Sequence, residues 1–102
     1  MDMRFLMKQA KEMQKKMETI RAQLADREVK VASGGGMVEI TINGEQEIKE
    51  IHINPDIIDP EDKEMLEDLV LAAVNEGIRQ SKEMVSGEMK KLTGGVNIPG
   101  LF

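Results

Sequence analysis

A chain of 102 residues fits one domain, and a domain of that size buries only about two thirds of the surface its unfolded chain exposes, so its core is thin. Nine methionines, two phenylalanines and no Trp or Tyr make that core aliphatic and partly thioether-filled, and some burial is expected to come from a second copy. The absence of cysteine excludes disulfides, Cys-type zinc sites and a thiol nucleophile and fits a cytoplasmic protein, while a net charge of −5 argues against a uniformly basic nucleic-acid binder.

The charge is uneven along the chain: residues 1–27 carry +3 and residues 28–102 carry −8. Charges at Asp2, Arg4, Lys8 and Lys11 break the first residues, so no signal peptide is expected. The longest uncharged run, residues 92–102, falls far short of the roughly 20 apolar residues that span a bilayer, so no membrane partner is expected.

In chain order, the first element is a helix over 1–27. Met3, Leu6, Ala10, Met13, Met17, Ile20 and Leu24 recur at alternating spacings of three and four, which is a heptad seam for packing within the fold or a dimer. A β-meander over 28–54 follows, with Val29 and Val31, then Val38, Ile40 and Ile42 alternating with polar residues, then Ile48, Ile51 and Ile53. Leu6, Met13, Met17, Ile20, Val38, Ile40, Ile42, Ile51 and Ile53 are the expected core and dimer residues.

Asn43-Gly44 marks the hairpin. A two-residue turn there pairs Ile42 with Glu45 and Ile40 with Glu47, so an odd-length loop is expected instead. A three-residue loop ending in a left-handed Gly44 sets Ile40 opposite Gln46 and Val38 opposite Ile48, with a bulge near Lys49-Glu50 restoring the apolar phase. Asn54-Pro55 closes the third strand, and Asp59-Pro60-Glu61-Asp62 opens a helix over 60–93 with a cap, a proline in the first turn and acids at the positive end of the dipole. Gly94-Gly95 stops it, and 94–102 is a tail. The expected class is α+β: helix, three-stranded antiparallel meander, long helix, in one domain over 1–102.

Gly34-Gly35-Gly36 suggests a phosphate cradle, but the triplet runs into a strand and no Lys-Ser or Lys-Thr follows, so it reads as a turn between strands. His52 is the only histidine and sits on the polar face of its strand. With no second His, no Cys and no Ser/His/Asp set, neither catalysis nor a metal or other cofactor is expected.

Arg4, Lys8, Lys11 and Lys15 are spaced four, three and four, opposite the apolar seam, with Lys16 and Arg21 flanking them. About 16 Å of helix separates Arg4 from Lys15, room for several phosphates. Arg79, Lys82, Lys90 and Lys91 form a lesser basic group toward the end of the last helix. No aromatic platform exists to stack unpaired bases, so the expected nucleic acid is a duplex held by its backbone.

Three separated stretches, "GGGMVEITINGEQEIKEIHI", "LEDLVLAAVNEGI" and "LTGGVNIPGLF", resemble the YbaB/EbfC family of bacterial nucleoid-associated proteins, in order and over essentially the whole chain. The resemblance implies a tweezer-like homodimer in the cytoplasm and nucleoid that binds double-stranded DNA through protruding helices, with nucleoid organisation and gene regulation as its roles. It places DNA contact on Arg4, Lys8, Lys11, Lys15, Lys16 and Arg21, with Arg79, Lys82, Lys90 and Lys91 as secondary candidates. The rival reading is a non-catalytic scaffold dimer that holds another protein through the seam, the acidic helix or the tail, with DNA contact incidental.

Overall fold

A computed structural model describes residues 2–92. The helix stop at Gly94-Gly95 and the tail lie outside the described residues. Helix α1 spans Met3–Asp26, strands β1 (Glu28–Ser33), β2 (Val38–Asn43) and β3 (Ile48–Ile53) form an antiparallel sheet in the order β1-β2-β3, and helix α2 runs over Lys63–Leu92. Helix, meander and long helix follow in the order the periodicities predict.

Each boundary has a local cause. The Asp2 carboxylate accepts from the Arg4 amide at 2.9 Å and caps α1. Asn54 accepts from the Asp56 amide at 2.9 Å as the chain leaves β3, and Asp59 accepts from the Glu61 amide at 3.0 Å in a single 3-10 turn over Pro60–Asp62 that leads into α2. Gly34, Gly35 and Gly36 take φ values of 59°, 67° and 93°, so the triplet is the β1–β2 connection and needs its glycines for that left-handed path.

Helix α2 lies across β1 and β2, and the core forms between them from Val31, Val38, Ile40, Ile42, Ile57 and Ala73. Register puts Val31 opposite Ile40 and Val29 opposite Ile42 on the covered face. Strand β3 extends past the helix. Ile51 pairs with Ile40 and Ile48 with Ile42, yet they are 46% and 44% exposed, because no helix of the same chain covers that edge. Ile53 is half-buried.

The hairpin departs from the expected one. The loop is Gly44, Glu45 and Gln46, flanked by Asn43 and Glu47, whose backbones bond at 3.0 Å, and the left-handed residue is Gln46 (φ 61°) rather than Gly44. Val38 therefore faces Ile53 and not Ile48, and Ile40 faces Ile51 and not Gln46. The Asn43 carboxamide fixes this loop: its oxygen accepts from the amides of Glu45 (2.9 Å) and Glu47 (3.0 Å). The expected bulge is present, with Lys49 unpaired between Thr41–Glu50 and Ile42–Ile48.

Candidate nucleic-acid interface

The seam of α1 divides in two. Met17 and Leu24 are buried and Ile20 is half-buried where α1 meets the far end of α2, near the buried Met89. An ion pair from Arg27 to Glu88 at 3.4 Å lies beside this contact. Residues 3–16 are all exposed, so the first half of α1 projects as an arm from a molecule 71 Å long and only 20 by 16 Å in section. Leu6 and Met13, expected in a core or dimer seam, are both 44% exposed within this single chain, because the sheet and α2 end before reaching them.

What lets α1 leave at this place is the hairpin. A Cβ on Gly44 would stand 2.1 Å from the Leu24 carbonyl oxygen, so the loop reaches the end of α1 only because residue 44 has no side chain. On the other side, the buried Ser81 hydroxyl donates to the Asn43 carbonyl at 2.6 Å and accepts from the Gln46 amide nitrogen at 3.0 Å, which ties the hairpin to α2. In the sequence Ser81 is one small residue in the α2 row Val70, Val74, Ile78, Ser81, Val85 and Met89, and Gly44 is a turn residue. A serine breaking an apolar helical row was the signal available.

On the arm, Arg4, Lys8, Lys11 and Lys15 line one shallow groove together with Met7 and Glu12. Lys16 stands on the adjoining face with Gln9, Glu12 and Met13. None of these five cations forms an ion pair among the described residues, so their charge is directed outward, with Glu12 the one acid at the groove. Arg21 is exposed nearer the body.

The secondary group is arranged differently. Arg79 is held between two carboxylates of its own helix, with Nε donating to Glu76 at 3.0 Å and Nη1 to Glu83 at 2.6 Å. The guanidinium, followed by the Gln80 amide, holds the Glu76 carboxyl down at about 2, and Glu76 in turn raises Arg79 further above its ordinary range. Lys91 donates to Glu88 at 3.5 Å beside Ile20 and Leu24, and Lys90 and Lys82 are exposed on the same helix. The arm thus gathers cations without partners, while Arg79 has its charge matched locally.

The opposite end is acidic. Ser33 donates to the Leu69 carbonyl at 2.6 Å, so the start of α2 lies at the glycine-triplet end of the sheet, and Asp59, Glu61, Asp62, Glu64, Glu67 and Asp68 are exposed there. His52 meets Glu50 at 3.3 Å on the exposed face of β3. Among the described residues no group of three or more metal-ligating side chains converges, and no helix is long and apolar enough to cross a membrane.

The profile described as the YbaB/EbfC DNA-binding family matches residues 1–96. A protein of Alkaliphilus metalliredigens named nucleoid-associated is 52% identical over 101 residues, covering 99% of this chain and 89% of its own length. One of Clostridium acetobutylicum, similarly named, is 50% identical over 100 residues and covers 98% and 89%. An uncharacterized Helicobacter pylori protein, HP0035, has a crystal structure that superposes with a TM-score of 0.79 at 26% identity over 91% of this chain and 98% of that one.

Proposed function

The chain belongs to the YbaB/EbfC DNA-binding family, and from that membership together with the charge of the arm we propose that it is a nucleoid-associated protein that grips duplex DNA by its backbone. The observation that carries this reading is the row Arg4, Lys8, Lys11 and Lys15, outward-facing and without ion-pair partners, on a helix that stands clear of an acidic body. Lys16 and Arg21 extend the row, and Lys82 and Lys90 add charge along the second half of α2, with Lys91 partly offset by Glu88. Arg79 contributes least, because Glu76 and Glu83 already neutralise it. The nucleoid is the corresponding location. No catalytic step is part of this reading.

The unit that grips is a homodimer. Its support is the uncovered apolar edge: Ile48 and Ile51 on β3 continue into a groove along α2 formed by Ile53, Leu66, Val70, Leu71 and Val74. A second copy covering that edge supplies the burial that a thin core lacks. Two arms with four cations each make about eight phosphate contacts, which sets a log-log salt slope of roughly −7.

Duplex binding across a salt series tests this, with the wild type set against a variant carrying Lys8→Glu, Lys11→Glu and Lys15→Glu. Six of the eight contacts then disappear from a dimer, and the slope is expected to fall to about −2 with affinity lost in proportion. A slope and affinity unchanged by the three substitutions would remove the arm from the interface and move the weight to a protein partner.

A further inference from the structure

The arm carries a second surface that the phosphate row does not use. Met3, Leu6, Ala10 and Met13 form an apolar stripe on the face opposite Arg4, Lys8, Lys11 and Lys15, with Met3 70% exposed. It is the same seam that is buried from Met17 to Leu24 against α2, continued into solvent for two more heptads.

The residues beside the stripe decide what fits it. With Met3, Leu6, Ala10 and Met13 as inner positions, the flanking positions are Met7, Gln9, Gln14 and Lys16, and the remaining charges of the arm, Arg4, Lys8, Lys11, Glu12 and Lys15, all fall on the outer positions. Two copies of this helix therefore meet seam to seam with Lys16 as the one flanking charge, whereas any approach along the outer face sets like charges together. Ala10 lets the two backbones come close.

We propose that the stripe Met3–Leu6–Ala10–Met13 pairs with the same stripe on the arm of a second dimer, so that proteins already lying on DNA by their basic faces join through the faces turned away from it. This rests on the phosphate-gripping reading above. Two heptads are too short to hold a free coiled coil together, because the helix-ordering and association costs exceed the burial of a few side chains. On a duplex the partners are held at an effective concentration in the millimolar range, and the same short seam suffices. The consequence is cooperative loading along DNA and joining of separate duplex segments.

The absence of cysteine gives a direct test. Ala10→Cys places one thiol in the stripe and Phe5→Cys places one on an exposed outer position that belongs neither to the stripe nor to the phosphate row. Each is treated with a short bismaleimide linker, free, on a short duplex that holds one dimer, and on a long duplex that holds many. The expected result is cross-linking of Ala10→Cys that rises with occupancy of the long duplex, at least about fivefold over Phe5→Cys, and little in the free protein. Leu6→Gln with Met13→Gln, in the Ala10→Cys background, is expected to abolish the cross-link and the cooperativity while changing short-duplex affinity by no more than about twofold, since the phosphate contacts lie on the other face.

Three results overturn it. Binding to the long duplex without cross-linking removes the pairing alone. Cross-linking that is equal with and without DNA, or slow maleimide labelling of Ala10→Cys in the free protein, shows the stripe already covered, by the partner arm of one dimer or by the chain's own apolar tail. Failure to bind even the short duplex removes the DNA reading and this inference with it.

Discussion

Gly44→Ala is the substitution that most sharply tests how the arm is anchored. The new Cβ would lie 2.1 Å from the Leu24 carbonyl oxygen, 2.7 Å from its carbonyl carbon and 3.3 Å from Val85 Cγ2. Ordinary contact begins near 3.4 Å, so a gap of more than an ångström must open, and the obstacle is backbone rather than a rotatable side-chain end. Either the hairpin lifts from α1 or the last turn of α1 withdraws. Withdrawal uncovers Leu24, now 5% exposed, and loosens Met17, now 8% exposed. Each of those burials stabilises by about 1.5–3 kcal/mol, which caps the cost at about 3–6 kcal/mol. Overpacked sites that relax in part cost about 1–3 kcal/mol, so a loss of about 2–3 kcal/mol is expected. For a domain near 100 residues that lowers the melting temperature by about 10–20 °C.

The measurement is thermal unfolding by far-UV circular dichroism at one fixed protein concentration, because association adds to the apparent stability. Gly35→Ala serves as the reference. Its Cβ meets nothing within 4 Å, but φ is +67°, so its cost is conformational alone, about 1–2 kcal/mol. Gly44→Ala must be the more damaging of the two. A melting temperature within about 2 °C of wild type would show that the loop and α1 are not in the contact described, and the account of how the arm leaves the body would fail.

Three further outcomes follow from the same contacts. Gly87→Ala lies in α2 with nothing within 4 Å of its Cβ, so helix propensity alone acts and stability is expected to rise by about 1 kcal/mol, read as a higher urea midpoint. Ser81→Ala removes the buried hydroxyl that joins α2 to the hairpin; the Asn43 carbonyl keeps the Gln46 backbone N–H and the Gln46 side-chain nitrogen keeps the Gly44 carbonyl, so the cost is that of two lost hydrogen bonds, about 1–3 kcal/mol by the same measurement. Glu76→Gln alters the acid side of the stability profile. The folded carboxyl titrates at about 2 against an ordinary 4.5, so its contribution is complete above about pH 4.5 and disappears as pH falls toward 2. The melting-temperature difference between wild type and variant is therefore expected to be constant at neutral pH and to shrink toward zero across that window.

Element order was legible because it rests on local signals. The heptad spacing of α1, the alternation of Val38, Ile40 and Ile42, and the Asp59-Pro60 start before α2 each act within a few residues. The hairpin register was not, because it needs, besides the Asn43 side chain closing on Glu45 and Glu47 within the loop, a group distant in sequence: Ser81 holding Asn43 and Gln46 from α2. The burial of the seam was legible only in part. The spacing from Met3 to Leu24 is uniform, but whether each residue is covered depends on where α2 lies, and that length is not encoded in α1 itself. Likewise Arg79 has the composition of a phosphate ligand, and only its helical neighbours Glu76 and Glu83 show its charge already matched.

The division of charge in the sequence becomes a division along the long axis in the fold. The basic arm leaves from the hairpin end, while Asp59 through Asp68 crowd the glycine-triplet end, so the two lie at opposite ends of a molecule 71 Å in length. At physiological ionic strength the screening length is about 8 Å, and the acidic end is therefore electrically invisible to a duplex lying on the arm. A net charge of −5 and an affinity for DNA are thus compatible.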